Sequence, residues 1–128
     1  METRASIEAL LDQAYAARCK QDLAGTTAVF TEDGCFRQNG GPGTSCRAEQ
    51  ESALAGLFDA FTLVDFQQHC RVIDPPRAVV HWRGKFRARN GQVGETEVLD
   101  LIEVRDGRIA SLTTFFDTAY AAALSAPP

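Results

Sequence analysis

The sequence predicts an α+β fold, and three observations carry that prediction. Apolar residues recur at helical spacing in the first half of the chain, over about Ser6–Lys20 and again from Ala48. Three strand-like runs, VVHWRGKFRAR, VGETEVLDLIEV and RIASLTTFFD, follow one another between Val80 and Asp117. They are separated by Asn90-Gly91 and Asp106-Gly107, dipeptides that accept the positive φ angles of tight hairpin turns, so the last third of the chain reads as an antiparallel meander.

With 128 residues, 45% of them hydrophobic, the chain has the size of one domain, residues 1–128, and enough apolar material for an ordinary core. A net charge of −4 argues against general affinity for nucleic acid, which draws on a surplus of Lys and Arg. The sequence shows neither a long apolar run nor a charged-then-apolar leader, so no membrane association and a cytoplasmic location are expected. Cys19, Cys35, Cys46 and Cys70 fit neither a CxxC pair nor a zinc ligand set. They read as small buried hydrophobes, with Cys46 exposed in a Gly-rich loop, and neither metal nor cofactor is expected.

Ser6 is a plausible N-cap for the first helix, whose stripe holds Ile7, Leu10, Leu11, Ala14 and Arg18. Arg18 on that stripe either snorkels to the rim or meets a buried carboxylate. Tyr15 lies at the stripe's flank as a half-buried helix tyrosine whose hydroxyl is within reach of a cavity mouth. DLAGTTAVF is at best a short helix, closed by TEDG. A short strand then places Phe36 and Gln38 on one face, and GGPGTSCR is a loop. The third helix aligns Leu54, Leu57, Phe58 and Phe61. LVDFQQHCRVID alternates Val64, Phe66, Gln68, Cys70 and Val72 against Gln67, His69 and Arg71, the pattern of a half-buried strand. Asp74-Pro75-Pro76 turns the chain into the meander, and TAYAAALSAPP is a short closing helix or a flexible end.

The meander carries the candidate chemistry. Asp100 shares a strand face with Val98 and Ile102, an apolar setting for a carboxylate. A two-residue turn at Asp106-Gly107 sets Val104 opposite Ile109, Ile102 opposite Ser111, Asp100 opposite Thr113 and Val98 opposite Phe115. The other face then holds Leu99, Leu101, Leu112 and Phe116. The hairpin at Asn90-Gly91 admits two registers. A two-residue loop puts His81 opposite Asp100, whereas a three-residue loop with a bulge puts Trp82 there, turns Phe86 inward, and sets Lys85 beside Glu97 and Arg87 beside Glu95. The second register keeps Arg83, Lys85 and Arg87 out of the core, where each unpaired charge would cost several kcal/mol, roughly.

The order of elements, with DLAGTTAVFTEDG early and LDLIEVRDGRIASLTTFFDTA late, resembles the SnoaL-like group of the nuclear-transport-factor-2-like (ketosteroid isomerase-like) superfamily. The resemblance implies a cone-shaped, strongly curved mixed or antiparallel sheet wrapped around three helices, a cystatin-like α+β barrel with a deep apolar pocket, and a homodimer through the outer sheet face formed by Leu99, Leu101, Leu112 and Phe116. It places Ala14 where ketosteroid isomerases carry an oxyanion tyrosine, Gln38 where they carry the base, and Asp100 at their protonated acid. Steroid isomerisation is therefore not expected. The epoxide-hydrolase pattern falls near His81, Arg83 and Thr114, so its acid and base are missing as well. A cyclase-type acid/base role remains open to Asp100, with His81 as its partner.

The expectation from the sequence is thus a protein that binds a small hydrophobic molecule. In one reading it is an isomerase, cyclase or lyase with Asp100 and His81 as catalytic residues. Tyr15, Arg18, Gln38, Phe58, Trp82, Phe86, Thr113 and Phe115 would then contact the ligand. In the alternative reading Asp100 is structural and the chain is a non-catalytic ligand-binding or dimeric interaction module.

Overall fold

The structure is a computed structural model that describes residues 2–127. Helix α1 (Arg4–Cys19) begins two residues before the expected Ser6, because Thr3 takes the N-cap and exchanges hydrogen bonds with Ser6 in a capping box. Asp22 caps the short helix α2 (Leu23–Ala28) through a bond from the Gly25 amide. Strand β1 (Phe30–Gln38) follows at once, so TEDG lies inside a strand and closes no helix. Helix α3 (Arg47–Ala60) runs directly into β2 (Phe61–Asp74). The meander is β3 (Arg77–Ala88), β4 (Val93–Arg105) and β5 (Arg108–Phe115), and the chain ends in helix α4 (Thr118–Leu124).

The five strands form one mixed sheet in the order β1-β5-β4-β3-β2, with β1 parallel to β5 and all other neighbours antiparallel. This is the α+β, cone-type architecture that the sequence implied. The inner face of the sheet supplies Val80, Trp82, Val98, Ile102, Val104 and Ile109 to one core cluster, and α1 adds Ile7, Leu10 and Leu11. Gln50 of α3 is fully buried among them and is fully used, donating to the carbonyls of Thr31 and Gly34 and accepting from Arg47. It fixes the helix to β1 at the cost of no orphaned amide.

Three register features differ from expectation, and each moves side chains between faces. At the β3–β4 hairpin the loop is Arg89-Asn90-Gly91, closed by Ala88 with Gln92, with Gly91 at φ 86°. Val80 rather than His81 or Trp82 therefore stands opposite Asp100, His81 stands opposite Leu99, and the outward charges pair as Arg83 with Glu97 and Lys85 with Glu95. Because the observed register is two positions from the expected pairing of Trp82 with Asp100, Trp82 and Phe86 still face the core and His81 faces out.

The β4–β5 turn has the expected two residues, both at positive φ, but after two ladder pairs a bulge at Ala110 breaks the pairing. Asp100 therefore meets Thr114, and Leu99 meets Phe115. Leu112 and Phe116 pack on the core, while Thr113 and Phe115 turn outward, the reverse of the sequence expectation. Two bulges in β2 act the same way and turn Leu63, Phe66 and Ile73 inward, leaving Val64 and Val72 exposed. Cys46 is exposed as expected, but the other cysteines are less buried than expected: Cys19 and Cys70 are exposed and Cys35 is half-buried. Among the described residues no helix is long and apolar enough to cross a membrane, and no cluster of His, Cys, Asp and Glu suits a metal ion.

Candidate functional site

Asp100 is buried on the inner face of β4, where the strand alternation leaves it between Val98 and Ile102. Its Oδ2 accepts two hydrogen bonds, from the Tyr15 hydroxyl at 2.5 Å and from the Trp82 indole N–H at 2.9 Å. Its Oδ1 is buried and has no partner. Thr114, across the ladder, favours the charged form from close by without completing a bond to Oδ1. Burial dominates and pushes the Asp100 carboxyl up from its ordinary value, against the opposing pull of Tyr15, Thr114, Trp82 and Arg18. With both bonds on Oδ2, the proton of the neutral acid belongs on Oδ1.

Tyr15 is a buried residue and not the half-buried helix tyrosine expected. Burial, then Asp100, pushes its pKa well up, so the phenol keeps its proton. Phe66 lies 5.4 Å from the Tyr15 ring and 4.9 Å from the Trp82 ring, so the two donors are braced by a third aromatic.

One turn along α1, Arg18 holds its guanidinium 4.8 Å from the centre of the Phe58 ring, an attractive cation–π placement. It neither snorkels to the rim nor meets a carboxylate. Its Nη1 is buried without a hydrogen-bond partner, and among the described residues Arg18 makes no ion pair. Burial pulls its pKa down from the ordinary arginine value, while Asp100 supports the charge.

Two connected spaces lie over these groups. The inner cavity, about 560 Å³ of atom-free space partly open to solvent, is lined by Tyr15, Arg18, Trp82, Asp100 and Thr114 among apolar residues such as Leu54, Ile109 and Leu112. The outer one, about 530 Å³ on the same measure, is walled by Phe61, Phe86, Phe116 and the α4 residues Tyr120 and Leu124. Arg18, Leu57, Trp82 and Thr114 line both and form the passage between them. Helix α4 is held over the outer space by Asn90, whose side-chain amide donates to the carbonyls of Leu124 and Ala126. Gly94 permits that seat, since a Cβ there would collide with the Tyr120 hydroxyl.

The structure thus gathers Asp100, Tyr15, Arg18 and Trp82 around the inner space and places Phe86 on the outer one, with Phe58 behind Arg18. Gln38 is half-buried at the end of β1, paired in the ladder with Thr114, and is not one of the lining residues. His81 lies on the opposite face of the sheet, 3.0 Å from Glu97 and with its ring tilted against that of His69, so the His81–Asp100 dyad does not form. Thr113 and Phe115 lie on that outer face too, where Leu99, Leu101 and Phe115 are each about 40% exposed. Sequence reasoning missed Thr114, Leu112 and Phe116 as wall residues. The single bulge responsible leaves no mark in the pattern of residue types.

A family model described as a SnoaL-like domain matches residues 7–112. No curated protein matches the chain. Similar solved structures include a candidate polyketide cyclase of Xanthomonas campestris, 20% identical over 96% of this chain and 98% of that one, with a TM-score of 0.83. A candidate isomerase of Bacillus subtilis is 15% identical, with 97% and 95% of the two chains covered and a TM-score of 0.84. An NTF2-like protein of unknown function from Burkholderia pseudomallei is 17% identical over 95% and 98%, with a TM-score of 0.83. At these identities the structural likeness establishes the fold.

Proposed function

This chain belongs to the SnoaL-like family of the nuclear-transport-factor-2-like, ketosteroid isomerase-like superfamily, and on that premise we propose that its cavity takes up a small hydrophobic molecule whose carbonyl oxygen is polarised by Asp100. The observation that carries the reading is the unpartnered Oδ1 of Asp100 on the wall of an apolar cavity. A neutral carboxyl in that position is a hydrogen-bond donor aimed at where charge develops on a carbonyl oxygen during enolisation, cyclisation or elimination. Tyr15 and Trp82 support it, because they hold Oδ2 and leave Oδ1 as the oxygen still open to a ligand. Similar structures described as a candidate cyclase and a candidate isomerase agree with carbonyl chemistry.

The test uses 2-acetylnaphthalene as probe. Bound to the protein, its infrared carbonyl stretch is expected to shift to lower wavenumber, and the shift should vanish in Asp100→Leu. An unshifted band in the wild-type complex would remove Asp100 from the ligand site.

A second reading is favoured by one observation. Among the described residues Asp100 is the only carboxylate lining the two cavities, and His69 and His81 lie elsewhere. A general base for carbon acids is thus not supplied by the wall, which suits a binding module that holds its ligand without turnover. Exchange of the probe's α-protons in deuterated water separates the readings, since only the catalytic one predicts an Asp100-dependent rate.

The outer face of the sheet supports a homodimer. Leu99 and Leu101 adjoin Phe115 as exposed apolar surface, and beside them Arg83 and Lys85 are paired within the sheet with Glu97 and Glu95, which suits an isologous contact with a second copy.

A further inference from the structure

Arg18 presents a problem that the polarising role of Asp100 does not solve. Its Nη1 is buried without an acceptor, and among the described residues no carboxylate comes within ion-pair distance. The one acid nearby, Asp100, makes no ion pair with Arg18, and its Oδ2 is already committed to Tyr15 and Trp82. The Phe58 ring at 4.8 Å attracts a cation but accepts no conventional hydrogen bond. A buried guanidinium in this state is an arrangement that an incoming anion would complete, because charge-assisted bonds to carboxylate are about twice as strong as neutral ones.

Its location says which part of a ligand it would take. Arg18 lines both spaces, at the passage between the Asp100 cavity and the aromatic outer cavity under α4. We propose that the natural ligand is an aromatic or similarly flat apolar carboxylic acid whose carboxylate is bound by Arg18 at this passage, its apolar body lying against Trp82, Phe86 and Phe116. Arg18 is then the specificity-determining residue of the pocket. This rests on the reading of the cavity as a ligand site and adds the class of molecule that enters it.

Calorimetric titration of 2-naphthoate and of 2-naphthamide, which share size and shape, into the wild-type protein and into Arg18→Met and Arg18→Lys tests it at neutral pH. The acid is expected to bind wild type at least about tenfold more tightly than the amide. The ratio should fall near unity in Arg18→Met, chiefly through lost affinity for the acid, and return in part in Arg18→Lys. Equal binding of acid and amide by wild type overturns the proposal and leaves the ligand site standing. A preference that survives in Arg18→Met overturns it as well. If neither compound binds, both the proposal and the reading beneath it fail. The wild-type ratio decides the matter even if Arg18→Met does not fold.

Discussion

The Tyr15 hydroxyl and the Asp100 carboxylate, 85 positions apart in the sequence, meet at 2.5 Å in the buried centre of the protein. That bond joins the first helix to the middle of the meander and at the same time decides which oxygen of Asp100 remains available. Tyr15→Phe keeps the ring packed on Phe66 and removes the bond. It is expected to cost about 1 kcal/mol in urea unfolding, and to raise the Asp100 pKa further, since the Tyr15 bond acts to lower it. A carboxyl band in difference infrared spectra, followed against pH, measures the second effect.

Asp100 itself separates two roles by the choice of replacement. Asp100→Asn keeps an oxygen for the Tyr15 and Trp82 donors and mimics the neutral acid. Asp100→Leu leaves both donors orphaned, at about 1–3 kcal/mol each. Chemical unfolding should therefore find Asn near wild type and Leu several kcal/mol weaker, roughly. Should Asn be as damaging as Leu, the carboxylate charge itself is needed by the fold.

The same residue sets a pH dependence. Its folded pKa lies above the ordinary 3.8 of an unfolded aspartate, so the folded protein holds a proton that the unfolded chain has released. The stability this contributes is complete below about pH 4, is lost as pH rises through the folded pKa, and is constant beyond it. Asp100→Asn cannot lose that proton. The stability difference between wild type and Asp100→Asn, measured across pH, should move against wild type over that window and be flat outside it.

Among the described residues, Asn90 supplies the side-chain hydrogen bonds that tie the C-terminal end of helix α4 to the β3–β4 hairpin. Asn90→Ala removes both bonds to the Leu124 and Ala126 carbonyls. Global stability is expected to change by about 1 kcal/mol or less, while amide hydrogen exchange in residues 118–124 rises well above wild type. Gly94→Ala should do the same by collision with Tyr120. Unchanged exchange in both variants would mean that the helix is held by its apolar contacts alone.

On the outer face, Leu101→Glu puts a charge in the middle of the apolar surface shared with Leu99 and Phe115. Sedimentation should give a dimer for wild type and a monomer for the variant, with secondary structure intact. A wild-type monomer at micromolar concentration rejects the dimer.

The helices, the strands and Asp100 as the buried carboxylate were legible in the sequence because period and turn chemistry are local signals. Asp100 stands between apolar residues on one strand face, and that alternation is visible without any partner. What could not be read is parity beyond a bulge. The hairpin turn at Asp106-Gly107 has its expected two residues, yet Ala110 bulges, and Leu112, Thr114 and Phe116 exchange faces with Thr113 and Phe115. Tyr15 escaped for a related reason. It lies at the edge of the α1 stripe, and only the curvature that brings β3 and β4 beneath it converts an edge position into a buried one. Arg18 was legible as an anomaly, though not as a cation left without a partner.

The Ala110 bulge also governs how this chain should be compared with its relatives. A protein that pairs β4 with β5 without the extra residue, aligned column by column with this one, would have its surface positions matched to this chain's cavity positions all along the rest of the strand. Apparent replacement of a wall threonine by a phenylalanine would then be a frame error of one residue, with no change of ligand behind it. Insertion or deletion at this single point is correspondingly a route by which such a pocket can exchange one entire wall in a single evolutionary step.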